Sequence, residues 1–292
     1  MRIGVELAVR TPVTDLVNYI KDYDSYGFER IWVPDAAFSQ WEVWTTAALA
    51  AVYTTTPRIG VGVMAPYHRN PAVIAHGAAT LDQLSGGRVD LSIGRGSRPY
   101  IASIDADRPD EAVTEAITII NGLLSGETVS MEGTAFTFRE VSQRVQPVQE
   151  HISIAIASMS RYWLDISRDT ADGVHLYTSN PTLLGTAQEA KKAAKNPNFE
   201  VTTTLGYVEP EEVREWWVTN FGRNFNLQQL CGREPNTASY EELAAELVFT
   251  DADSLRQHLQ RMESFGVDEL MIAYRRAEDL PVIAEMVAAA RG

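Results

Sequence analysis

The sequence has little cysteine and no long hydrophobic run. Cys231 is the single cysteine among 292 residues, which excludes an internal disulfide, and we expect a small buried side chain there rather than a catalytic thiol. No stretch of 18 or more apolar residues occurs, so the sequence predicts no transmembrane helix and no membrane partner. The chain starts directly with strand-like residues and lacks the pattern of a signal peptide, from which we expect a cytoplasmic protein.

Lysine is also scarce, since only positions 21, 191, 192 and 195 carry it, and arginine supplies most of the positive charge. Acidic residues outnumber basic ones, which gives a formal net charge of −14 at pH 7. We therefore expect no nucleic acid partner, because a polyanion would be repelled. An anionic cofactor would have to be bound by local arginines and backbone amides.

Several common site motifs are missing. The chain contains no G-x-x-x-x-G-K-[ST], H-E-x-x-H or C-x-x-C pattern, so we predict neither a P-loop nor a metal site. Residues 60–65 match the dinucleotide fingerprint G-x-G-x-x-A, but these glycines lie inside a strand and Pro66 and Pro71 delay the following helix. Glycines within a strand indicate either close approach of a ligand or tight packing in a barrel.

Eight strand-like runs alternate with helical patterns along the whole chain. The runs are 2–7, 30–33, 58–64, 89–94, 152–157, 173–177, 201–208 and 269–273. This alternation predicts a parallel sheet, and eight units favour a single-domain α/β fold over residues 1–292, a (β/α)8 TIM barrel. We predict insertions after strand 4 (95–109) and strand 7 (209–250). A β-hairpin insertion before strand 5 is predicted from 128–131 and 134–138.

The carboxyl ends of the predicted strands carry the candidate functional residues, because active sites of such barrels lie at that edge. Glu6, at the end of strand 1, points into the mouth as a shielded acid or forms an ion pair at the rim. Asp35 follows strand 2 and either binds a ligand donor or caps the next turn. His175 and Tyr177 end strand 6 and are candidates for substrate binding, although a histidine there also suits the core.

Two further loops are candidates for binding an anionic group. Gly94-Arg95-Gly96-Ser97 follows strand 4, and its amides and guanidinium suit a phosphate or carboxylate, unless the loop is merely solvated. Ala157-Ser158-Met159-Ser160 ends strand 5 and starts a helix. Amides at a helix N-terminus bind phosphate, but the serines equally suit capping of that helix.

At these residues the chain resembles the luciferase-like superfamily of flavin- and deazaflavin-dependent enzymes. The similar segments are YGFERIWVPD (26–35), TLDQLSGGR (80–88), IGRG (93–96), LLSGE (123–127), ADGV (171–174) and GVDEL (266–270). Within the superfamily the chain most resembles the coenzyme F420-dependent methylenetetrahydromethanopterin reductases. The features nearest to that group are Glu6, Asn-Pro at 70–71, Val-Gln-Glu at 148–150 and Ser-Asn-Pro at 179–181.

The resemblance implies a barrel whose mouth holds an 8-hydroxy-5-deazaflavin, with a non-prolyl cis peptide at Gly62–Val63 against its ring and its phosphate beside Ser158–Ser160. It also implies that Glu6 protonates the reacting nitrogen of a methylene-tetrahydropterin, which then accepts hydride from reduced coenzyme F420. The cofactor residues implied are Asp35, Gly62, Val63, Gly94, Arg95, Gly96, Ser97, Ala157, Ser158, Met159 and Ser160. A homodimer or higher homo-oligomer acting on a small molecule is expected.

Two departures from the superfamily pattern keep alternatives open. Many members place histidine after the aspartate of strand 2, where this chain has Ala36, which argues against an alcohol dehydrogenase or a luciferase. The reductases commonly have proline where this chain has Arg95, a potential new anion contact. The alternatives are an FMN-dependent monooxygenase, an NAD(P)H-dependent methylenetetrahydrofolate reductase and, from another class, a non-catalytic binding subunit without flavin.

Overall fold

A computed structural model describes residues 1–7, 12–35, 41–96, 110–213 and 240–292. Eight of its strands form the barrel: β1 (Arg2–Glu6), β2 (Arg30–Val33), β3 (Arg58–Met64), β4 (Val89–Gly94), β7 (Ile154–Ala157), β8 (Gly173–Leu176), β9 (Glu200–Tyr207) and β11 (Glu269–Ala273). Neighbouring barrel strands are all parallel. Because β9 pairs with both β8 and β11, the sheet closes on itself. The predicted (β/α)8 barrel is confirmed.

Helices connect these strands on the outside of the barrel. They are α1 (Val13–Tyr26), α2 (Val43–Tyr53), α3 (Pro71–Ser85), α4 (Glu111–Leu124), α5 (Arg161–Thr170), α6 (Pro181–Ala193), α7 (Tyr240–Leu247), α8 (Ala252–Ser264) and α9 (Asp279–Arg291). Their buried apolar residues and the outward-facing residues of the strands form one continuous core. In the described ranges, no helix has both the length and the apolar character needed to cross a membrane.

The insertions agree with the predictions where the structure describes them. The hairpin before the fifth barrel strand consists of β5 (Val129–Glu132) and β6 (Thr137–Val141), which pair antiparallel. After β9 the chain forms a 3-10 helix at Pro210–Glu212 and then, beyond 214–239, α7 and the short strand β10 (Val248–Phe249). Residues 97–109 and 214–239, with most of the two predicted insertions and Cys231, lie outside the described residues.

Ionic side chains fill the N-terminal end of the barrel. The members of this cluster are Arg2, Arg30, Arg58, Asp90, Glu200 and Glu269. Arg30 is paired with Glu269 and, at 3.1 Å, with Asp90. Glu269 is fully buried and also accepts a hydrogen bond of 3.1 Å from Trp32 Nε1. Three cations therefore face three anions, and the buried charges Arg30, Asp90 and Glu269 are paired with one another.

The TLDQLSGGR segment holds the loop before β7 and the C-terminal end of α2 in place. Asp82 is fully buried, and its carboxylate accepts hydrogen bonds from Val148 N at 2.8 Å, from Gln149 N at 2.9 Å and from Gln149 Nε2 at 2.7 Å. Arg88 donates to the carbonyls of Ala51 and Thr54, each at 2.9 Å, and thereby satisfies the C-terminal end of α2. The segment joins α3, α2 and the approach to β7.

Candidate active site

A cavity of about 340 Å³ opens at the carboxyl ends of the barrel strands. Its walls bring together many of the predicted site residues: Glu6, Asp35, Gly62, Val63, Gly96, Ala157, Ser158, Met159, His175 and Tyr177. It is also lined by Pro34, Leu176, Thr204 and Met271, which sequence reasoning missed. Thr204 and Met271 lie two residues after the inward-facing Thr202 and Glu269 on the same strands. Because side chains of a strand alternate between its two faces, this spacing would have identified them from the sequence.

A second cavity of about 380 Å³ adjoins the first and contains the remaining predicted loop. Gly94 and Arg95 line it, together with Val113 of α4 and Trp163 of α5. Val63, Gly96, Ala157, Ser158, Met159 and Tyr177 belong to both cavities. Among the predicted cofactor residues, Ser160 lines neither cavity and Ser97 lies outside the described residues.

Glu6 is an acid of the site that has no ion-pair partner in the described part of the chain. It is the last residue of β1 and lies beside Trp32 in the register of β1 and β2. Burial raises the pKa of its carboxyl from 4.5 to about 7. No hydrogen bond or ion pair joins Glu6 to any other described residue, and no lysine or arginine among them lines the first cavity. The carboxyl therefore holds its proton close to neutral pH.

An irregularity in β3 shapes the wall between the two cavities. The pairing of β3 with β4 shifts register between Val61 and Met64, and the peptide bond Gly62–Val63 is cis, as the resemblance implied. Gly62 has a φ of 152°, and a Cβ on it would lie 2.5 Å from the carbonyl oxygen of Ser92. Only glycine therefore fits at this position. The irregular strand places Val63 in the lining of both cavities.

The Asp35 carboxylate differs from that of Glu6 because a cation holds it. Arg69, in the loop between β3 and α3, donates from Nε to Oδ2 at 2.8 Å and from Nη2 to Oδ1 at 3.0 Å. Arg69 Nη2 also lies 3.2 Å from Oε1 of Glu42, which caps α2. Asp35 thus lies in the cavity wall as half of an ion pair. Sequence reasoning did not identify Arg69.

The two candidate anion-binding loops differ in how many of their donor groups already have a partner. The Arg95 guanidinium is 2.9 Å from Oδ1 of Asp110, just before α4, so this arginine already has a carboxylate partner. Ser158 Oγ accepts a hydrogen bond of 3.1 Å from Ser160 N. Ser160 is the N-cap residue of α5, but its side chain bonds none of the first-turn amides. The N-terminus of α5 therefore keeps donors for an anion.

His175 contributes a neutral imidazole to the cavity wall. Burial, and secondly the positive charge of Arg30, lower the pKa of His175 from 6.5 to about 3. Its Nε2 lies 2.8 Å from Thr204 Oγ1, and its ring centroid is 5.0 Å from that of Trp32. His175 is therefore a buried histidine that also lines the candidate site, and its role in substrate binding stays a prediction.

The sequence of the chain is similar to those of known proteins. The family model described as luciferase-like monooxygenase matches residues 1–203. A 5,10-methylenetetrahydromethanopterin reductase of Methanolobus tindarius is 29% identical over 207 residues, which is 68% of this chain. The match covers 62% of that relative's length, somewhat less than two thirds.

Solved structures show the same fold at low sequence identity. The coenzyme F420-dependent tetrahydromethanopterin reductase of Methanopyrus kandleri superposes with a TM-score of 0.81 at 18% identity, over 98% of this chain and 97% of that one. An F420-dependent secondary alcohol dehydrogenase in complex with an F420-acetone adduct gives a TM-score of 0.81 at 18% identity, over 100% of this chain and 99% of that one.

Proposed function

The chain belongs to the luciferase-like monooxygenase family, and from this premise we propose that it transfers hydride from reduced coenzyme F420 to a methylene-tetrahydropterin or a similar C=N or C=C substrate. The observation that carries the proposal is the Glu6 carboxyl, which has a pKa of about 7, has no cation beside it among the described residues and lies in the same cavity as Gly62 and Val63. A general acid is most effective when its pKa is near the working pH.

The residues of the two cavities suit a deazaflavin with an anionic tail. The first cavity is large enough for a flat tricyclic ring, and its walls of Val63, Leu176 and Met271 are apolar. The N-terminus of α5, next to Ser158, offers amide donors to the phosphate of the tail. When bound in its reduced form, the coenzyme supplies the hydride.

The side chains of this protein supply binding and the proton. Glu6 donates its proton to the reacting nitrogen of the substrate, which opens the methylene bridge to an electrophilic iminium carbon. Hydride addition at that carbon then gives a methyl group, so proton and hydride together account for the reduction. The apolar wall around Glu6 excludes water and keeps the carboxyl protonated until the nitrogen is in place. His175 and Tyr177 contact the substrate.

The test is anaerobic turnover followed by absorbance of the coenzyme. We expect reduced coenzyme F420 to be consumed when methylenetetrahydrofolate or its methanopterin analogue is added. Glu6→Gln lowers the rate roughly 10²- to 10⁴-fold, the range for loss of a general acid, while the coenzyme still binds. Normal turnover by Glu6→Gln would remove Glu6 from the mechanism. Absence of turnover with both substrates would contradict the proposed reaction.

An FMN-dependent monooxygenase is the second candidate, because Arg95 lines the second cavity and suits a terminal phosphate once it leaves Asp110. A fluorescence-quenching panel of coenzyme F420, FMN, NADH and NADPH distinguishes the candidates. Tightest binding of FMN with oxygen consumption favours the monooxygenase, and direct oxidation of a nicotinamide favours the folate reductase. A protein that binds none of the four is a non-catalytic subunit. The homo-oligomeric state and the cytoplasmic location stay predictions.

A further inference from the structure

Trp32 extends across the interior of the barrel. It lies on β2 and is 2% exposed, and its partners in the strand register are Glu6 on β1 and Gly60 on β3. Its indole Nε1 donates to the carboxylate of Glu269 on β11 at 3.1 Å, and its ring centroid is 5.0 Å from that of His175 on β8. One side chain of β2 therefore reaches residues on both neighbouring and more distant strands.

Gly60 makes room for this indole. A Cβ at position 60 would lie 2.4 Å from Cδ2 of Trp32, which is closer than side-chain atoms approach in a packed core. Of the two interpretations of the glycines within strand β3, tight packing in the barrel therefore applies to Gly60. The fit between Gly60 and Trp32 holds the ring in one position.

The indole separates the ionic cluster at the N-terminal end of the barrel from the first cavity. The guanidinium carbon of Arg30, a member of that cluster, lies 5.5 Å from the centre of the Trp32 ring. Towards the carboxyl ends of the strands the ring packs against His175, which lines the cavity. Burial, and secondly the charge of Arg30, lower the pKa of His175, whereas burial is the cause that raises the pKa of Glu6.

We propose that Trp32 is a positioning residue of the proposed reaction, on which this inference rests, because its indole closes the barrel interior beneath Glu6 and keeps water and the ionic cluster away from the carboxyl. Trp32 lines neither cavity, so it acts through Glu6 and not on a ligand. A gap at this place would have charged side chains on one side and the cavity on the other. Such a polar gap takes up water, which stabilises a carboxylate.

The other titratable groups near Glu6 in the described ranges are uncharged or paired. They are Tyr23 on α1, Tyr177 after β8, Tyr274 after β11, His175 and Asp35. Burial raises the pKa of the three phenols above the ordinary value of 10.0, and the imidazole is neutral. The carboxylate of Asp35 is bonded to Arg69. Removal from water is therefore the property of Glu6 that a change at Trp32 alters.

The direct test is a titration of the Glu6 carboxyl by NMR. The protein is labelled with ¹³C-glutamate and kept free of ligands, and the signal is assigned from its loss in Glu6→Gln. We expect the parent protein to titrate near pH 7. Because Trp32→Leu opens a gap that water fills, its midpoint should fall towards 4.5 by at least about one pH unit. An unchanged midpoint in Trp32→Leu would overturn the proposal.

Trp32→Phe is the conservative variant, since it keeps an aromatic ring and removes only the N–H donor. We expect the Glu6 midpoint to stay within about 0.5 pH unit of the parent value. The urea midpoint of unfolding should fall, because the buried Glu269 loses a hydrogen bond. A purely structural role for Trp32 would lower the stability of both variants and leave Glu6 unchanged in both.

Phe249→Leu is the matched control for truncation of a buried aromatic residue. Phe249 is 1% exposed on β10, packs against Tyr207 and lines neither cavity. We expect its Glu6 midpoint to equal that of the parent protein. Equal lowering by Phe249→Leu and Trp32→Leu would show a general loosening of the barrel and would contradict the specific role of Trp32.

Hydrogen exchange of the Trp32 indole N–H tests the closure in the parent protein, also if Trp32→Leu fails to fold. Its ¹⁵N signal is assigned from its loss in Trp32→Phe. We expect exchange to be as slow as that of amides in the core strands, because the N–H is buried and bonded to Glu269. Exchange at the rate of an unprotected indole would mean that water reaches this level of the barrel, and would contradict the proposal.

These measurements separate the inference from the proposed function. A Glu6 midpoint near pH 7 that falls in Trp32→Leu, in a protein without hydride transfer, would support the role of Trp32 and contradict the proposed reaction. Hydride transfer with the same dependence on pH in the parent protein and in Trp32→Leu would support the reaction and contradict the role of Trp32.

Discussion

Arg69 holds the Asp35 carboxylate by two parallel hydrogen bonds, of 2.8 Å and 3.0 Å, in the wall of the first cavity. The side chain of Asp35 is 4% exposed. The site therefore contains two carboxyl groups in different electrostatic surroundings, because Asp35 has a cation beside it and Glu6 has none among the described residues. Such a difference supports a structural role for Asp35 and agrees with the proton-transfer role proposed for Glu6.

Removal of the Arg69 charge tests the structural role of Asp35. Arg69→Gln leaves the Asp35 carboxylate buried without its cation, and we expect a loss of about 2–3 kcal/mol in the free energy of unfolding, somewhat below the range for fully buried pairs. Urea denaturation measures it. Combining it with Asp35→Asn should restore part of the loss, because the unpaired charge is then gone. An Arg69→Gln protein as stable as the parent would show that the ion pair contributes nothing.

Hydride transfer should depend on pH through Glu6. The protonated carboxyl is the active form, so the single-turnover rate is highest below pH 7 and falls as the pH rises through the pKa of about 7. Stopped-flow absorbance of the coenzyme across this range measures the profile. Glu6→Gln should retain a low rate without this step. A rate that rises with pH over the same range would mean that Glu6 acts as a base instead.

Glu6 should also make stability depend on pH. Its pKa in the folded protein, about 7, lies above the unfolded value of 4.5, so the folded state binds the extra proton in this interval. Stability therefore falls as the pH rises from 4.5 to 7, by roughly 1–3 kcal/mol for this group. Comparing melting temperatures of the parent and Glu6→Gln across these pH values isolates the contribution. Parallel curves would contradict the raised pKa.

Gly62→Ala should lower both stability and coenzyme affinity, because its Cβ would lie 2.5 Å from the Ser92 carbonyl oxygen at a φ of 152°. Gly185→Ala is the matched control in the interior of α6. Its Cβ would have its nearest contact at 3.6 Å, with Phe265, which is an ordinary distance. The helix gains roughly 0.5–1 kcal/mol from this change. Thermal unfolding and coenzyme titration of both variants check the contrast, and equal behaviour of the two would contradict it.

Asp82→Asn tests the buried junction between α3 and the approach to β7. The new amide group would place its own hydrogens against N–H donors of Val148 or Gln149, which now bond the carboxylate at 2.7–2.9 Å. We expect a loss of about 2–3 kcal/mol in unfolding free energy, from buried groups left unsatisfied. Chemical denaturation measures the loss. An unchanged midpoint would mean that the loop keeps its position without these bonds.

The barrel and most of its mouth could be predicted from the sequence because both depend on local patterns. Buried parallel strands are apolar runs, and polar or glycine residues at their carboxyl ends converge at one edge. Strand ends were less accurate, since β8 ends at Leu176 and β7 starts at Ile154, two residues later than predicted. These ends depend on pairing across strands, such as Ala157 with His175, which no local pattern reveals.

The partners of the site residues could not be predicted. Arg69 is 34 positions from Asp35 and Thr204 is 29 positions from His175, so their contacts depend on how loops and strands meet in space. Arg95 was expected to be available to an anion, and only the placement of α4 reveals its contact with Asp110. Charge and residue type indicate which ligand a side chain can bind. The fold determines whether a neighbouring residue is already bonded to that side chain.

The ionic cluster at the N-terminal end of the barrel limits the routes by which ligands can enter and leave the barrel. With Arg30, Asp90 and Glu269 filling that end, a coenzyme and a substrate bound as proposed above would have to enter and leave through the same opening. Whichever ring lies deeper has to arrive first and depart last. An ordered sequence of binding and release, visible as a characteristic pattern of product inhibition, follows from one blocked end.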